Sequence, residues 1–269
     1  MEIDPKLFQK FCKLIHQRSG IALKKGKEAL VCARIAKRLR ALGISSHEEY
    51  LQYLLSEPSG EEFTHFLDAI ATNVTRFFRE SEHFDFFRDY LMKLREQGCR
   101  HFRFWSAACS TGEEPYTMAM VVSEVLGLKN VDWKILATDL STQVLEKAEH
   151  GVFDAQRMTE IPLNLRQRFF DEILVGNERF FQVKPQLRQR VVFRRINLAL
   201  PPFPMKGPLQ AVFCRNVMIY FDVATRTGLV SEICSLLPPN GILFVGMSES
   251  LSAIPAPLIS LEPAVYQKR

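Results

Sequence analysis

The segment His101-Phe-Arg-Phe-Trp-Ser-Ala-Ala-Cys-Ser-Thr-Gly-Glu-Glu-Pro115 decides the fold of this 269-residue chain. Apolar and polar residues alternate up to Ala107, which indicates a β-strand, and the small residues Ser110-Thr-Gly112 then break the chain. Helical spacing of apolar residues follows over 113–126. The segment therefore predicts a strand, a tight turn and a helix, the unit from which parallel sheets with covering helices are built.

The alternation of strand and helix continues towards the end of the chain. Residues 133–138 are strand-like, and a helix is predicted from Ser141 to His150. Another helix is predicted over 222–237. Three short apolar runs predict further strands: Val191–Phe193, Ala211–Phe213 and Ile242–Val245. We expect an α/β domain with a mostly parallel sheet and helices on both faces.

Two regions depart from this alternation. Residues 1–72 carry only helical patterns, which predicts a small N-terminal helical bundle. Residues 151–190 contain two short β patterns around Gly176-Asn177, so we expect a hairpin and a small antiparallel β insertion there. The predicted domains are 1–72, a linker with a connecting helix between the two halves at 73–97, and the α/β domain at 98–269, with its β subdomain at about 151–190.

The composition is that of a globular chain, with 47% hydrophobic and 24% charged residues. No apolar run reaches the roughly 18 residues of a membrane span, and the N-terminus lacks the pattern of a signal peptide. We therefore expect a cytoplasmic protein that does not insert into a membrane. The six cysteines form no closely spaced pair, so no metal site is expected.

The positive charge is concentrated near the N-terminus. The net charge of the chain is +5, whereas residues 13–40 contain nine basic residues and one acid, or +8. The remainder is then −3 (5 − 8). An acidic partner is expected to meet the N-terminal region, although composition alone does not distinguish nucleic acid, a membrane and an acidic protein.

Two motifs point to a cofactor that contains a nucleoside. The turn after the first strand is rich in small residues and opens a helix, but it lacks the lysine of a nucleotide-triphosphate loop. Its Glu113 and Glu114 would repel a phosphate and suit a cationic group. Asp139 ends the second strand, where an acid commonly accepts hydrogen bonds from ribose hydroxyls. An ordinary turn and a helix cap are the simpler readings, but together the motifs favour S-adenosylmethionine.

Four segments in order resemble one family, the chemotaxis receptor glutamate O-methyltransferases of the CheR type. The segments are TNVTRFFRE (72–80), WSAACSTGEEPY (105–116), ILATDLSTQVLEKA (135–148) and FCRNVMIYFD (213–222). The resemblance covers nearly the whole chain. It implies a Rossmann-like class I S-adenosylmethionine methyltransferase domain after the helical bundle. It also implies methyl transfer to specific glutamates of chemoreceptors, giving glutamate methyl esters and S-adenosylhomocysteine in chemotactic adaptation.

The resemblance also implies the site residues. Arg79 and Tyr220 match the positions near the transferred methyl group and are the catalytic candidates. Glu113 is the preferred glutamate of its pair, although the motif does not separate it from Glu114. The cofactor-binding candidates are Asn73, Thr75, Arg79, Glu113, Asp139, Asn197, Leu198, Asn216 and Val217.

The chemistry requires little from the protein. A glutamate side chain with a reference pKa of about 4.3 is already a carboxylate nucleophile at pH 7, so no general base is needed. The cofactor brings an activated methyl group. Alignment of the reacting atoms then contributes up to roughly 7–11 kcal/mol. We expect Arg79 to orient the carboxylate rather than hold it tightly.

Receptor recognition is expected from the helical domain. Arg34, Lys37 and Arg38 are spaced to share one helix face, and the resemblance implies that this face binds the acidic methylation helices of the receptor cytoplasmic domain. Some family members also bind a receptor C-terminal peptide at the β subdomain, through a glycine-rich loop. This loop has only Gly176, so we predict that the chain does not need such a peptide.

Other functions are less well supported. A nucleic-acid methyltransferase would place Asp or Asn before Pro-Pro-aromatic after the fourth strand, whereas Leu200 precedes Pro201-Pro202-Phe203 here, before that strand. A cofactor-sensing module without turnover does not explain Arg79, Asp139 and Tyr220 together. We expect a monomer that binds no nucleic acid. The receptors, the glutamates and the signalling pathway stay open.

Overall fold

The computed structural model of the chain describes residues 3–23, 26, 28–57, 60–70 and 74–269, apart from the side chain of residue 30. The predicted cofactor ligand Asn73 lies outside the described residues. So do Lys24, Lys25 and Lys27 of the basic segment. Within the described part, no helix is long and apolar enough to cross a membrane.

In the described part of the N-terminal domain, four helices surround an aromatic core. Asp4 begins the first helix by accepting a hydrogen bond from the Leu7 amide at 3.0 Å. In the core, the Tyr50 ring lies 6.2 Å from that of Phe11 and 5.7 Å from that of Phe66, measured between centroids. The helices are α1 (Pro5–Ser19), α2 (Glu28–Leu42), α3 (His47–Ser56) and α4 (Glu61–Ile70).

A buried ion pair fixes α2 against α4. The Arg38 guanidinium donates two hydrogen bonds to the Glu62 carboxylate, at 2.9 and 2.5 Å. The Tyr50 hydroxyl donates a third at 2.6 Å, and Glu62 is only 4% exposed. Arg38 is thus paired within the domain, and its role as a receptor contact stays a prediction. Arg34 and Lys37 are exposed on the same helix.

The α/β domain contains a seven-stranded sheet in the order β6-β2-β1-β7-β8-β10-β9. The first five of these strands are parallel, as predicted, and β10 and β9 are antiparallel. In chain order the elements are α5 (Glu82–Glu96), β1 (His101–Ser106), α6 (Glu113–Leu126), β2 (Asp132–Asp139), α7 (Thr142–His150), β3 (Val152–Asp154), α8 (Leu163–Phe169), β4 (Phe170–Val175), β5 (Glu178–Val183), α9 (Pro185–Arg188), β6 (Val191–Arg195), β7 (Ala211–Cys214), α10 (Val223–Leu236), β8 (Ile242–Val245), β9 (Leu258–Glu262) and β10 (Val265–Lys268). Short 3-10 helices lie at Arg157–Glu160 and Met218–Tyr220.

The connecting helix α5 packs on the sheet rather than between the two halves, which corrects the sequence expectation. Its Phe84 ring stacks on Phe213 of β7 at 5.6 Å, and its Phe87 ring meets Phe104 of β1 at 5.1 Å. These residues belong to the core of the α/β domain and not to that of the helical domain.

The C-terminal strands β9 and β10 were not predicted from the sequence.

The predicted β insertion is a three-stranded antiparallel sheet in the order β3-β5-β4. The hairpin of β4 and β5 turns at Gly176-Asn177, where Gly176 has a φ of 62°. Phe77 and Phe170 anchor this sheet to the domain core, with centroids 5.8 Å apart. β4 is an edge strand of this sheet, and its Leu174 and Val175 are exposed, at 71% and 57%.

The helical domain is docked over the carboxyl ends of the parallel strands. Ile21 forms an antiparallel bridge with Phe221, and the Ala22 amide donates to the Tyr220 carbonyl at 2.8 Å. The Asn197 side-chain amide donates to the Arg18 carbonyl at 2.7 Å. The chain can approach this closely because residue 20 is glycine, with φ +70° and space only for a hydrogen atom.

We predict that Gly20→Ala lowers the free energy of unfolding by about 2–4 kcal/mol. An added Cβ would lie 2.4 Å from the Ala199 Cβ. Overpacking costs roughly 1–3 kcal/mol, and the left-handed backbone costs an L-residue about 1 kcal/mol more. Gly43→Ala is the matched control, because its φ is +69° with nothing within 4 Å. In urea unfolding, Gly43→Ala should lower the free energy of unfolding by only about 1 kcal/mol. Equal losses for the two variants would show that the contact of residue 20 with Ala199 relaxes to accommodate the added methyl group.

Candidate functional site: a cavity at the switch point of the sheet

A cavity of about 440 Å³ lies where the helical domain covers the sheet. The chain runs from β1 outward to β6 and then returns to β7 on the other side of β1. Ligands of open α/β sheets bind at such a reversal, outside the carboxyl ends of the strands. The cavity lining includes eight of the residues predicted from the sequence: Thr75, Arg79, Asp139, Asn197, Leu198, Asn216, Val217 and Tyr220.

The turn between β1 and α6 forms one wall of the cavity through Ala107, Ala108 and Ser110. Its shape depends on a glycine that the sequence analysis identified only as a chain break. Gly112 has a φ of 100°, and a Cβ there would lie 3.0 Å from the Ala148 Cβ on α7. The turn is thus held against α7, and its small side chains leave the wall open to a ligand.

Asp139 at the end of β2 connects the β1–α6 turn with the residue that precedes α7. Its carboxylate accepts hydrogen bonds from the Ser110 amide at 2.9 Å and from the Ser141 amide at 3.0 Å. Burial raises the pKa of Asp139, and these two amides oppose that shift. Each oxygen has one of these donors and retains acceptor capacity, so the carboxylate can also bind hydroxyl groups.

The two glutamates of the Gly-Glu-Glu turn have different surroundings. Glu114 lines the cavity and accepts a hydrogen bond from the Ser106 hydroxyl at 2.7 Å. Glu113 is not in the lining; it is fully buried and pairs with Arg157 and with the Thr111 hydroxyl. The sequence preferred Glu113 as the cofactor ligand, whereas the structure places Glu114 at the cavity.

Arg215 is a functional residue that sequence reasoning missed. Its side chain is 1% exposed and lies between two carboxylates, with nitrogen–oxygen distances of 3.0 Å to Glu114 and 3.0 Å to Glu80. It also donates to the Arg79 carbonyl. Burial opposes ionisation of Glu80, but Arg215 and Asn216 hold its pKa below the usual value. The signal in the sequence was the arginine between the apolar end of β7 and Asn216.

This network fixes the backbone on both sides of Arg79. Phe78 and Glu80 have positive φ angles of 52° and 55°, which non-glycine residues adopt only when the surroundings impose them. The Arg79 guanidinium donates to the Val74 carbonyl at 2.8 Å. Arg79 is thereby held at the cavity while its guanidinium keeps further donors for a carboxylate.

Glu249 positions the opposite wall and was also missed. Its buried carboxylate accepts hydrogen bonds from three backbone amides: Gly246 at 2.6 Å, Asn216 at 2.8 Å and Ile219 at 3.1 Å. Asn216 has a φ of 58°. Glu249 therefore supports the turn that carries Asn216, Val217 and Tyr220 into the lining.

The arrangement suits a ligand with a cationic end and a nucleoside. Glu114 and Asp139 face the cavity, and the small residues of the β1–α6 turn let a ligand approach the protein backbone closely. Among the described residues, no group of three metal-ligating side chains lies together. This donor set fits S-adenosylmethionine, whose sulfonium and ammonium groups are positive and whose ribose presents hydroxyls.

Comparison with known families agrees with this assignment. Residues 73–265 match the family model described as CheR methyltransferase, SAM binding domain. The fold and the site therefore define an S-adenosylmethionine-dependent methyltransferase of the class I fold. Residues 6–71 match the model described as CheR methyltransferase, all-alpha domain. The chain belongs to the CheR methyltransferase family.

Curated relatives are similar over most of the chain. It is 38% identical to the chemotaxis protein methyltransferase of Salmonella typhimurium, over 91% of this chain and 84% of that protein. It is 42% identical to chemotaxis protein methyltransferase 2 of Pseudomonas aeruginosa, over 90% and 86%. A solved amino pentose methyltransferase from Micromonospora echinaspora superposes with a TM-score of only 0.37 at 14% identity, over 67% of this chain and 58% of that one.

We predict that Glu80→Gln lowers the free energy of unfolding by about 2 kcal/mol at pH 7, since it removes a charge-assisted bond to Arg215. Glu80 has a depressed folded-state pKa, so its stabilisation is complete above the unfolded-state pKa of about 4.3 and is lost as the pH falls through the folded-state value. The difference from wild type should shrink below about pH 4. Chemical denaturation of both proteins at several pH values measures this difference in the free energy of unfolding.

Glu82→Gln is the control for this experiment, because it removes the same charge from an exposed position two residues away. It should change stability by less than about 0.5 kcal/mol. A Glu80→Gln deficit that stays constant down to pH 3 would contradict the assigned ion pair.

Proposed function

We propose that this enzyme methylates glutamate side chains of chemoreceptors, forming methyl esters and S-adenosylhomocysteine. The observation that carries the proposal is the cavity, which gathers Thr75, Arg79, Asp139 and Tyr220 beneath a docked helical domain. Its relatives are chemotaxis protein methyltransferases. Incubation with labelled cofactor and a receptor cytoplasmic fragment tests it: base-labile label on the receptor supports the proposal, and base-stable label contradicts it.

In this proposal the cofactor lies along the cavity. Asp139 binds the ribose, and Asn197, Leu198, Asn216 and Val217 line the side that receives the adenine and the adjoining pocket. Thr75 and Glu114 face the amino-acid end, where Glu114 replaces the earlier preference for Glu113. Asn73 stays a predicted ligand. The bound cofactor supplies an activated methyl group, and no metal is required.

Arg79 and Tyr220 act on the substrate glutamate. A carboxylate is already the nucleophile at neutral pH, so the residues need only orient it. The Arg79 guanidinium is partly engaged by the Val74 carbonyl at 2.8 Å, which limits how strongly it can neutralise an incoming carboxylate. Tyr220 is held by the contact of its carbonyl with the Ala22 amide.

The exposed side of α2 is the proposed receptor-reading surface. Arg34 and Lys37 are exposed, whereas Arg38 supports the domain through Glu62. Two cations on one helix face complement an acidic receptor helix. We expect a cytoplasmic monomer that acts on the receptor cytoplasmic domain, without nucleic acid or membrane insertion.

The β insertion bears on receptor docking. The prediction that no receptor C-terminal peptide is needed rests on the loop with a single glycine. Against it, β4 is an edge strand, and an extended peptide can add to such an edge through backbone hydrogen bonds. The exposed Leu174 and Val175 lie on this strand. Independence from a receptor tail stays a prediction.

We predict that Asp139→Ala weakens binding of S-adenosylhomocysteine by roughly 10–150-fold, equivalent to about 1.5–3 kcal/mol. The reason is the loss of charge-assisted hydrogen bonds to the ribose. Asp132→Ala is the control, because this aspartate lies at the other end of β2 and pairs with Arg103. Calorimetric titration measures both variants. Unchanged affinity in Asp139→Ala would remove the ribose assignment.

We predict that Arg34→Glu combined with Lys37→Glu reduces receptor methylation at low salt by about tenfold without changing affinity for S-adenosylhomocysteine. Both side chains are exposed and lie outside the cavity lining. Surface charges act mainly on association and on its salt dependence. The matched control is Lys93→Glu with Lys129→Glu, which changes the same charge on exposed parts of the other domain. Equal rates for the two double variants would show that the α2 face is not used.

A further inference from the structure

Asp68 is a half-buried acid that the site described above does not use. It lies on α4 and contributes to the cavity lining. Both carboxylate oxygens are buried, and neither has a hydrogen-bond partner among the described residues. No motif in the sequence pointed to this position.

The other acids in the lining are satisfied by the protein. Asp139 accepts from the Ser110 and Ser141 amides, and Glu114 accepts from Ser106 and Arg215. A buried carboxylate without donors is costly, because it has lost its water and gained nothing in return. Asp68 therefore differs from these two acids, because no described residue donates a hydrogen bond to it.

The position of Asp68 adds to that cost. Burial raises the pKa of Asp139, and the charge of Asp68 adds to this shift, so the two carboxylates are close enough to repel each other. Both oxygens of Asp68 therefore keep acceptor capacity for a donor that enters the cavity.

We propose that Asp68 accepts a hydrogen bond from the nucleoside of the cofactor, either from a ribose hydroxyl or from the exocyclic amino group of adenine. The proposal rests on the assignment of the cavity to S-adenosylmethionine. Leu140, Ser141 and Asn197, which belong to the nucleoside side, line the same cavity. The helical domain then contributes a cofactor ligand as well as a receptor-reading surface, and cofactor binding stabilises its docking.

The test is Asp68→Asn, which keeps the size of the side chain and removes its charge. We expect the affinity for S-adenosylhomocysteine to fall about tenfold in calorimetric titration. We also expect the thermal midpoint of the ligand-free enzyme to rise, because an unpaired buried charge has been removed. A purely structural residue would not lower affinity while raising stability. Glu48→Gln, at an exposed position on α3, is the control and should change neither quantity.

Two analogues distinguish the donor. If the adenine amino group is the partner, the analogue of S-adenosylhomocysteine with hydrogen in place of that amino group should bind wild type and Asp68→Asn equally. If a ribose hydroxyl is the partner, the two proteins should instead have equal affinity for the 2′- or 3′-deoxy analogue. Affinity within twofold of wild type, or tighter binding, in Asp68→Asn would overturn the proposal. Asp139→Ala tests the assumption on which this proposal rests, namely that the cavity binds the cofactor. If Asp139→Ala also binds S-adenosylhomocysteine with normal affinity, the assignment of the cavity itself fails.

Discussion

The buried guanidinium of Arg215 is the interaction on which the site depends. It lies between Glu80, from the segment that precedes α5, and Glu114, in the first turn of α6, and it also donates to the Arg79 carbonyl. One side chain thus links the segment between the domains, the helix after β1 and the end of β7. Without its charge, two buried carboxylates would face each other, and the strained backbone around Arg79 would lose its support.

The site separates two electrostatic tasks. Two arginines are used inside the protein, where Arg215 pairs with Glu114 and Arg157 pairs with Glu113, while Arg79 lies at the cavity. Acids are presented to the cavity, where Asp139 and Glu114 have fixed backbone or side-chain partners and remaining acceptor capacity. A positively charged cofactor suits the acids that face the cavity, and the small uncharged residues of the wall leave room for it. The receptor is expected to meet the opposite sign of charge, on α2, in the other domain.

Periodicity and turn residues were enough to predict the parallel strands, the helical bundle and the β hairpin. Asp139 could be assigned because the end of a parallel strand has a known position in such sheets. The strands β9 and β10 were missed because they lie at the antiparallel end of the sheet, where β9 is largely exposed and has no apolar run. Arg215 and Asp68 were missed, and the pairing of Arg38 was not foreseen, for a different reason: burial and pairing of a charge depend on contacts distant in sequence, such as that between Arg38 and Glu62, which are 24 positions apart.

The buried cluster of Arg38, Glu62 and Tyr50 has a consequence for the evolution of specificity. Burial and Glu62 raise the pKa of Tyr50, so its hydroxyl remains a donor and the cluster keeps its charge pattern at physiological pH. Because α2 is anchored to α4 from within, the solvent side of α2 can exchange its charges at little cost in stability. With the receptor-reading role proposed for α2, a lineage could change its receptor preference through surface substitutions alone, and a protein engineer could redirect the enzyme to a new signalling array without redesigning the fold.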